Sequence, residues 1–196
     1  MNDTIYGQLE TAARRAYRRG IQTGSGGNLS ARCEGGMIVK SSGGSFADCC
    51  RDGSGFVETD LSGNILEGQA GKPTREVFLH GLMYRIADWT GGVMHCHSPW
   101  AIAWACGGKA LPMVTLHMSL KLGCEIPVLD IPSACVRPED ETAVRRLFEE
   151  NPRLPAFILA SHGVVALGKD VLEAEHNAEL VEETAQIAVL KALLYR

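Results

Sequence analysis

His95 and His97 lie two residues apart in Gly91-Gly92-Val93-Met94-His95-Cys96-His97-Ser98, a short apolar run between glycines and a Ser-Pro. Such a run predicts a buried strand. Side chains alternate faces along a strand, so both imidazoles point to one side and Cys96 to the other. Two imidazoles side by side on a rigid strand make half of a preorganised metal site. Alone, the pair reads equally well as two ordinary histidines near a strand end. Two further features shift the balance. Glu76 stands upstream, in Lys72-Pro73-Thr74-Arg75-Glu76-Val77-Phe78-Leu79-His80, and a third histidine, His162, closes another apolar run in Ala160-Ser161-His162-Gly163.

Three neutral imidazoles and one carboxylate are four ligands of the kind Zn²⁺ takes, and Mn²⁺, Co²⁺ or Fe²⁺ also accept them. A structural zinc site more often recruits cysteine, and the seven cysteines here are not spaced for one. The set therefore favours a Lewis-acid centre, which polarises a carbonyl or hydroxyl oxygen and stabilises the enediolate left when a neighbouring proton or carbon is removed. Glu76 can double as the base. His80, one helical turn beyond Glu76, could support it from behind, although a packed or solvated helix residue is the plainer reading. His117 has no periodicity tying it to the others and reads as a supporting or interface residue.

The elements that must carry these side chains follow from periodicity. Residues 3–19 predict a helix with Leu9, Ala12, Ala13, Ala16 and Tyr17 on one face, ended by Gly20. A Gly-rich turn, Thr23 to Asn28, enters a strand. Its free backbone N–H groups could form an anion nest, a weak signal on its own. Met37 to Lys40 is a short strand followed by a second small-residue turn, Ser41 to Ser45. Phe56–Thr59 and Asn64–Glu67 read as a hairpin about Asp60-Leu61-Ser62-Gly63. Residues 74–88 predict a helix with Thr74 as its cap and Glu76 in its first turn, where the helix dipole gives a carboxylate a purely structural use. Pro99 to Cys106 is a short apolar helix whose Trp100 and Trp104 read as core. Between residues 111 and 131, Val114-Thr115 and Ile126–Ile131 are candidate strands. Pro138-Glu139-Asp140 opens a helix to about Glu150. Ala156–Ala160 and Val164–Leu167 are strands flanking His162-Gly163. Asp170, with Glu173 three residues on, caps a last helix reaching about residue 194, with His176 on its exposed side. The whole predicts one α/β domain over residues 1–196, with a mixed, mostly antiparallel sheet and helices on both faces.

Composition excludes several classes. The chain has 196 residues, 45% of them hydrophobic, which suits one domain with a full core. A net charge of −4 gives no reason to expect nucleic acid or an anionic membrane as partner. No apolar run is long enough to span a bilayer, and the N-terminus lacks the basic and apolar regions of a signal peptide. Seven cysteines without a CxxC fit free thiols in a reducing cytoplasm. Neither GxGxxG nor GxxxxGK[ST] occurs, so no dinucleotide fold or P-loop is expected.

Taken in order, Gly27-Asn28-Leu29-Ser30-Ala31-Arg32, Lys72-Pro73-Thr74-Arg75-Glu76 with His80, His95-Cys96-His97 and His162-Gly163 resemble the class II aldolase/adducin family, over about residues 5–192. The resemblance implies that His95, His97 and His162 bind a divalent metal, with Glu76 as fourth ligand and acid/base. It also implies phosphate contacts from Gly27, Asn28, Ser42, Gly43, Thr74 and Arg75. The substrate it implies is a small phosphorylated sugar, and the assembly a homotetramer with sites completed by a neighbouring subunit. The expected reaction is aldol cleavage of a ketose 1-phosphate. Decarboxylation of a 3-oxo acid phosphate and sugar-phosphate epimerisation are alternatives in the same fold, and a non-catalytic adducin-like assembly module is a third. Met118 follows His117 where the family's aldolases carry a proton-donating tyrosine, and the chain ends at Tyr195-Arg196, before the segment that carries a second one. Arg75 replaces a small serine of the phosphate turn.

Overall fold

The computed structural model describes residues 2–195. Its helices are α1 (Asn2–Arg19), α2 (Val77–Ile86), α3 (Pro99–Ala105), α4 (Leu116–Lys121), α5 (Glu141–Glu150) and α6 (Val171–Leu194). Its strands are β1 (Asn28–Cys33), β2 (Gly36–Lys40), β3 (Phe56–Thr59), β4 (Gly92–Cys96), β5 (Val128–Leu129), β6 (Ala156–Leu159) and β7 (Gly163–Gly168). They form one sheet in the order β3-β2-β1-β4-β7-β6-β5. Every pair is antiparallel except β5 with β6. This is the expected mixed sheet. Among the described residues no helix is long and apolar enough to cross a membrane.

The near-continuous apolar strands explain the three layers. A strand covered on both faces must be apolar at every position. In β4, Met94 and Cys96 join Leu9, Ala13, Ala101 and Ala178 of α1, α3 and α6, whereas Val93 joins Leu79, Leu82 and Phe148 of α2 and α5. The same alternation runs through β6 and β7, with Ile158, Val164 and Ala166 on one side and Phe157, Val165 and Leu167 on the other. Small residues at Ala174, Ala178, Ala185 and Ala188 bring α6 close to the sheet. His95, one residue out of phase with Met94, falls on the α2 side.

Close approach also sets the β6–β7 turn that carries His162. A Cβ at Gly163 would lie 2.2 Å from the carbonyl oxygen of Cys96. Gly163→Ala is therefore expected to push the turn off β4 and to destabilise the fold by about 1–3 kcal/mol. Denaturant unfolding measures this, and an unchanged midpoint would mean that the turn can move freely.

Five local expectations need correction. Asn64–Glu67 is not a strand. The Asp60 carboxylate accepts the backbone N–H groups of Ser62 and Asn64 at 2.8 and 2.9 Å and winds the segment into a turn, leaving a single bridge from Ile65 to Thr59. Thr74 does not cap α2. Its backbone N–H is donated to Lys40 and its hydroxyl accepts the Glu76 N–H at 3.3 Å, so the helix starts at Val77 with Glu76 in the cap position. Val114-Thr115 is not a strand. Thr115 instead caps the short helix α4 through the Met118 N–H, and Leu116 and Leu120 of that helix are exposed, so no apolar face announced it. Ile126–Ile131 contracts to β5, with Ile126 bridged to Leu111. Trp100 and Trp104 are only partly buried against the core. Pro138–Asp140 form a short 3₁₀ turn that leads into α5, and Asp170 caps α6 as expected, accepting the Glu173 N–H at 2.8 Å. All seven cysteines are free thiols.

Candidate metal centre

His95 sits in β4 and is fully buried. Its Nδ1 lies 3.0 Å from the Val164 carbonyl oxygen, which can only accept. Nδ1 therefore carries the proton, and Nε2 is left as a bare lone pair. His97 follows the end of the strand, and its backbone N–H is donated to Gln22 Oε1 at 2.8 Å. Gly26 lies so close that a Cβ there would approach His97 Nδ1 to 2.7 Å, so the Gly-rich turn packs against one side of this otherwise exposed imidazole. His162 occupies the β6–β7 turn after Ser161, which adopts a left-handed φ of 56°. One nitrogen from each histidine lies within 4.8 Å of the others. His95 Nε2 and His162 Nε2 are 3.3 Å apart.

Burial, joined at His95 and His162 by repulsion from neighbouring rings, lowers the pKa of all three imidazoles and favours their neutral forms. Burial first and His97 second push His95 down to about 3. Burial and then His95 push His162 to about 4, and burial lowers His97. Three neutral lone pairs converging at this distance are the donor set of a divalent-cation site. The Glu76 carboxylate borders them, with Oε2 3.3 Å from His95 Nε2 and Oε1 3.9 Å from His162 Nε2. Oε1 is buried and has no hydrogen-bond partner. A buried carboxylate oxygen left bare beside three lone pairs fits the donor set of a cation site. The described cluster could thus hold one metal ion.

Asn28 opens β1 directly across from His95. Its Nδ2 donates to Glu76 Oε2 at 2.7 Å, and its Oδ1 faces His80 Nε2 at 2.5 Å. His80 thus reaches Glu76 through Asn28 rather than directly. His117 lies elsewhere, exposed on α4 and 3.8 Å from Glu183 of α6.

A cavity of about 430 Å³ opens beside the histidines. Gly27, Asn28, Ser42, Gly43, Thr74 and Arg75 all line it, together with Glu76, His97 and His162. The bridge between Ser41 and Pro73 ties the two turns that form its floor. Lys40 also lines it, and sequence reasoning missed that residue. Lys40 ends an apolar strand and is buried, with Nζ 3.2 Å from the Ser41 carbonyl oxygen; burial lowers its pKa. A lysine closing an apolar strand just before a small-residue turn is a readable signal for a charge held at a pocket wall. Ala134 and Cys135 also line it.

The three-layer α/β fold thus sets a tri-histidine cluster that could hold a metal ion beside a polar cavity lined by Lys40 and Arg75. The chain belongs to the class II aldolase and adducin family, whose model, described as the Class II Aldolase and Adducin N-terminal domain, matches residues 7–189. Among solved structures it is similar to L-fuculose-1-phosphate aldolase from Thermus thermophilus, at 25% identity and a TM-score of 0.82, covering 97% of this chain and 95% of that one. It is also similar to YgbL from Klebsiella pneumoniae, described as an aldolase/epimerase/decarboxylase candidate, at 27% identity, a TM-score of 0.79 and coverage of 95% and 89%. A sugar-phosphate aldolase from Thermotoga maritima shares the fold at 20% identity, with a TM-score of 0.78 and coverage of 98% and 97%.

Proposed function

We propose that this chain is a divalent-metal-dependent lyase that cleaves a small ketose 1-phosphate to dihydroxyacetone phosphate and an aldehyde. The observation that carries the reading is the Glu76 carboxylate, its Oε1 bare, bordering three converging histidines at the edge of a cavity lined by Lys40 and Arg75. His95, His97, His162 and Glu76 are the proposed ligands, with Zn²⁺ first among the ions that suit them. When bound, such an ion supplies Lewis-acid stabilisation for negative charge on adjacent ketone and hydroxyl oxygens.

The chain's own residues supply the rest. Lys40, Arg75, Thr74 and the Gly27-Asn28 and Ser42-Gly43 turns hold the phosphate, combining two cations with backbone N–H groups. Glu76 takes the proton from the C4 hydroxyl. The C3–C4 bond breaks, C4 leaves as the aldehyde, and the electron pair passes to the C2 oxygen. Glu76 then returns the proton to C3. We assign this last role to Glu76 because Met118, at the position of the family's tyrosine, is buried in the core. No tyrosine is among the residues lining the cavity, and Tyr195 is exposed at the far end of α6. The assembly proposed with this reading is a homotetramer whose sites lie at subunit interfaces.

The same lack of a tyrosine favours a second reading. Loss of carbon dioxide from a 3-oxo acid phosphate reaches a similar anion without a base to start it. The test is a panel of ketose 1-phosphates and 3-oxo acid phosphates with zinc-supplemented protein, followed by a coupled assay for dihydroxyacetone phosphate and by carbon dioxide release. Dihydroxyacetone phosphate is the expected product, with inorganic phosphate competing against substrate. Carbon dioxide without aldehyde would replace the lyase reading with the decarboxylase, interconversion of epimers would replace it with an epimerase, and none of these would leave the assembly module.

A further inference from the structure

Two rows of side chains meet behind Glu76. On α2 and its cap, Glu76, His80 and Tyr84 recur every four residues, the spacing of one helix face. On β1, Asn28, Ser30 and Arg32 recur every two, the spacing of one strand face. The rows interlock. Asn28 Nδ2 lies 2.7 Å from Glu76 Oε2, His80 Nε2 lies 2.5 Å from Asn28 Oδ1, and Ser30 Oγ lies 2.7 Å from both His80 Nδ1 and Tyr84 OH. Arg32 closes the far end, donating to the Tyr84 carbonyl at 2.8 Å with its guanidinium 4.8 Å above the Tyr84 ring.

Donor counting gives this chain a single direction. The Asn28 amide presents its NH₂ to Glu76, so its carbonyl faces His80 and can only accept. His80 must therefore carry its proton on Nε2. Its Nδ1 is then a lone pair and must accept from the Ser30 hydroxyl. Ser30 has one proton, now spent, so it accepts from Tyr84, whose hydroxyl is the source of the series. No member is more than slightly exposed, with Asn28 at 4%, Tyr84 at 3% and Ser30 and His80 at 0%, so water cannot substitute for a lost link. Burial pushes His80 down to about 3 and raises Tyr84, which keeps both neutral as the counting requires.

We propose that Tyr84, Ser30 and His80 act as positioning residues, forming a one-way hydrogen-bond relay that locks the Asn28 amide and thereby holds Glu76 by a hydrogen bond to Oε2, leaving Oε1 without one, 3.9 Å from His162 Nε2. Reversing the relay would turn the Asn28 carbonyl toward the Glu76 carboxylate and set two acceptors face to face. The link from this relay to a metal rests on the proposed function; the relay's direction does not.

The test has two independent arms. The first is ¹⁵N NMR of the His80 imidazole in metal-free protein, where the Nε2–H tautomer is expected. An Nδ1–H tautomer in the wild type would overturn the proposal. The second is Ser30→Ala, which removes the donor to His80 Nδ1. It is expected to leave the Nε2–H tautomer in place, to move the His80 Nδ1 resonance to that of a lone pair without a donor, and to weaken zinc binding, read by chelator competition, by about 10–100-fold, the range typical for groups that orient ligands. Ser30→Thr, which keeps the hydroxyl, is expected to restore both. If Ser30→Ala does not fold, Tyr84→Phe, which removes the source hydroxyl, is measured in the same way. Lower stability with an unchanged Nδ1 resonance and unchanged zinc affinity would make the row mere packing and sink the relay. A wild type that binds no zinc but shows the Nε2–H tautomer would remove the metal reading and leave the relay standing.

Discussion

Glu76→Gln is expected to leave a folded protein whose turnover on a ketose 1-phosphate falls by about 10²–10⁴-fold, the range lost with a general acid or base. Glutamine keeps the volume of the side chain, and its amide oxygen can still accept the Asn28 Nδ2 proton that now goes to Oε2. The NH₂ group is then forced to the Oε1 position, which has no partner and faces His162. A group that can only donate cannot take a proton from a substrate hydroxyl. The variant therefore tests proton transfer without emptying the helix cap. Inhibition by inorganic phosphate separates the two jobs of the cavity, since Lys40 and Arg75 are untouched. Its inhibition constant should stay near the wild-type value while kcat falls. Near-normal kcat would reduce Glu76 to a carboxylate at a helix start.

The histidines and Glu76 were legible because each lies where a simple period meets a chain break. Alternation placed His95 in β4 and His97 just past its end on the same side, and an apolar run ending in His-Gly placed His162 at a neighbouring strand end. The layer order was legible for the same reason, because β6 and β7 are apolar at every position and must be covered twice. Features that depend on contacts across elements were not. Asn28 reads as part of an anion-binding turn, and only the pairing of β1 with β4 brings its amide to Glu76. Lys40 looks like the polar end of a strand until the Pro73 bridge folds the next turn over it. Helix α4 went unseen because Leu116 and Leu120 point outward, against the pattern that reveals a helix. Asn64–Glu67 misled in the opposite sense, because the Asp60 side chain outcompetes the ladder for the same backbone groups.

His95→Ala is expected to remove the metal. Purified wild-type protein should carry about one divalent ion per chain, as one four-ligand site requires, and the variant close to none. Its zinc affinity should fall by more than the ~10–100-fold associated with groups that only orient a ligand. Stability reports the same event: zinc at about 100 times its dissociation constant should stabilise the wild type by about 2.7 kcal/mol and leave the variant unmoved. Acid titration of the metal-free proteins adds a signed check. The folded pKa of His95 is pushed down to about 3 and that of His162 to about 4, against an ordinary value near 6.5 in the unfolded chain. Between those limits the unfolded state binds more protons than the folded one, so stability is fully present above about pH 6.5 and falls as the pH drops toward 4. Removing His95 deletes one of these proton deficits and also relieves its repulsion of His162, so the variant's stability should depend less steeply on pH across that window. His80, His162 and His97 remain lowered in the variant and contribute to its residual slope. Equal slopes, with the metal retained by the variant, would mean that His95 is an ordinary buried histidine and that the centre is built from other residues.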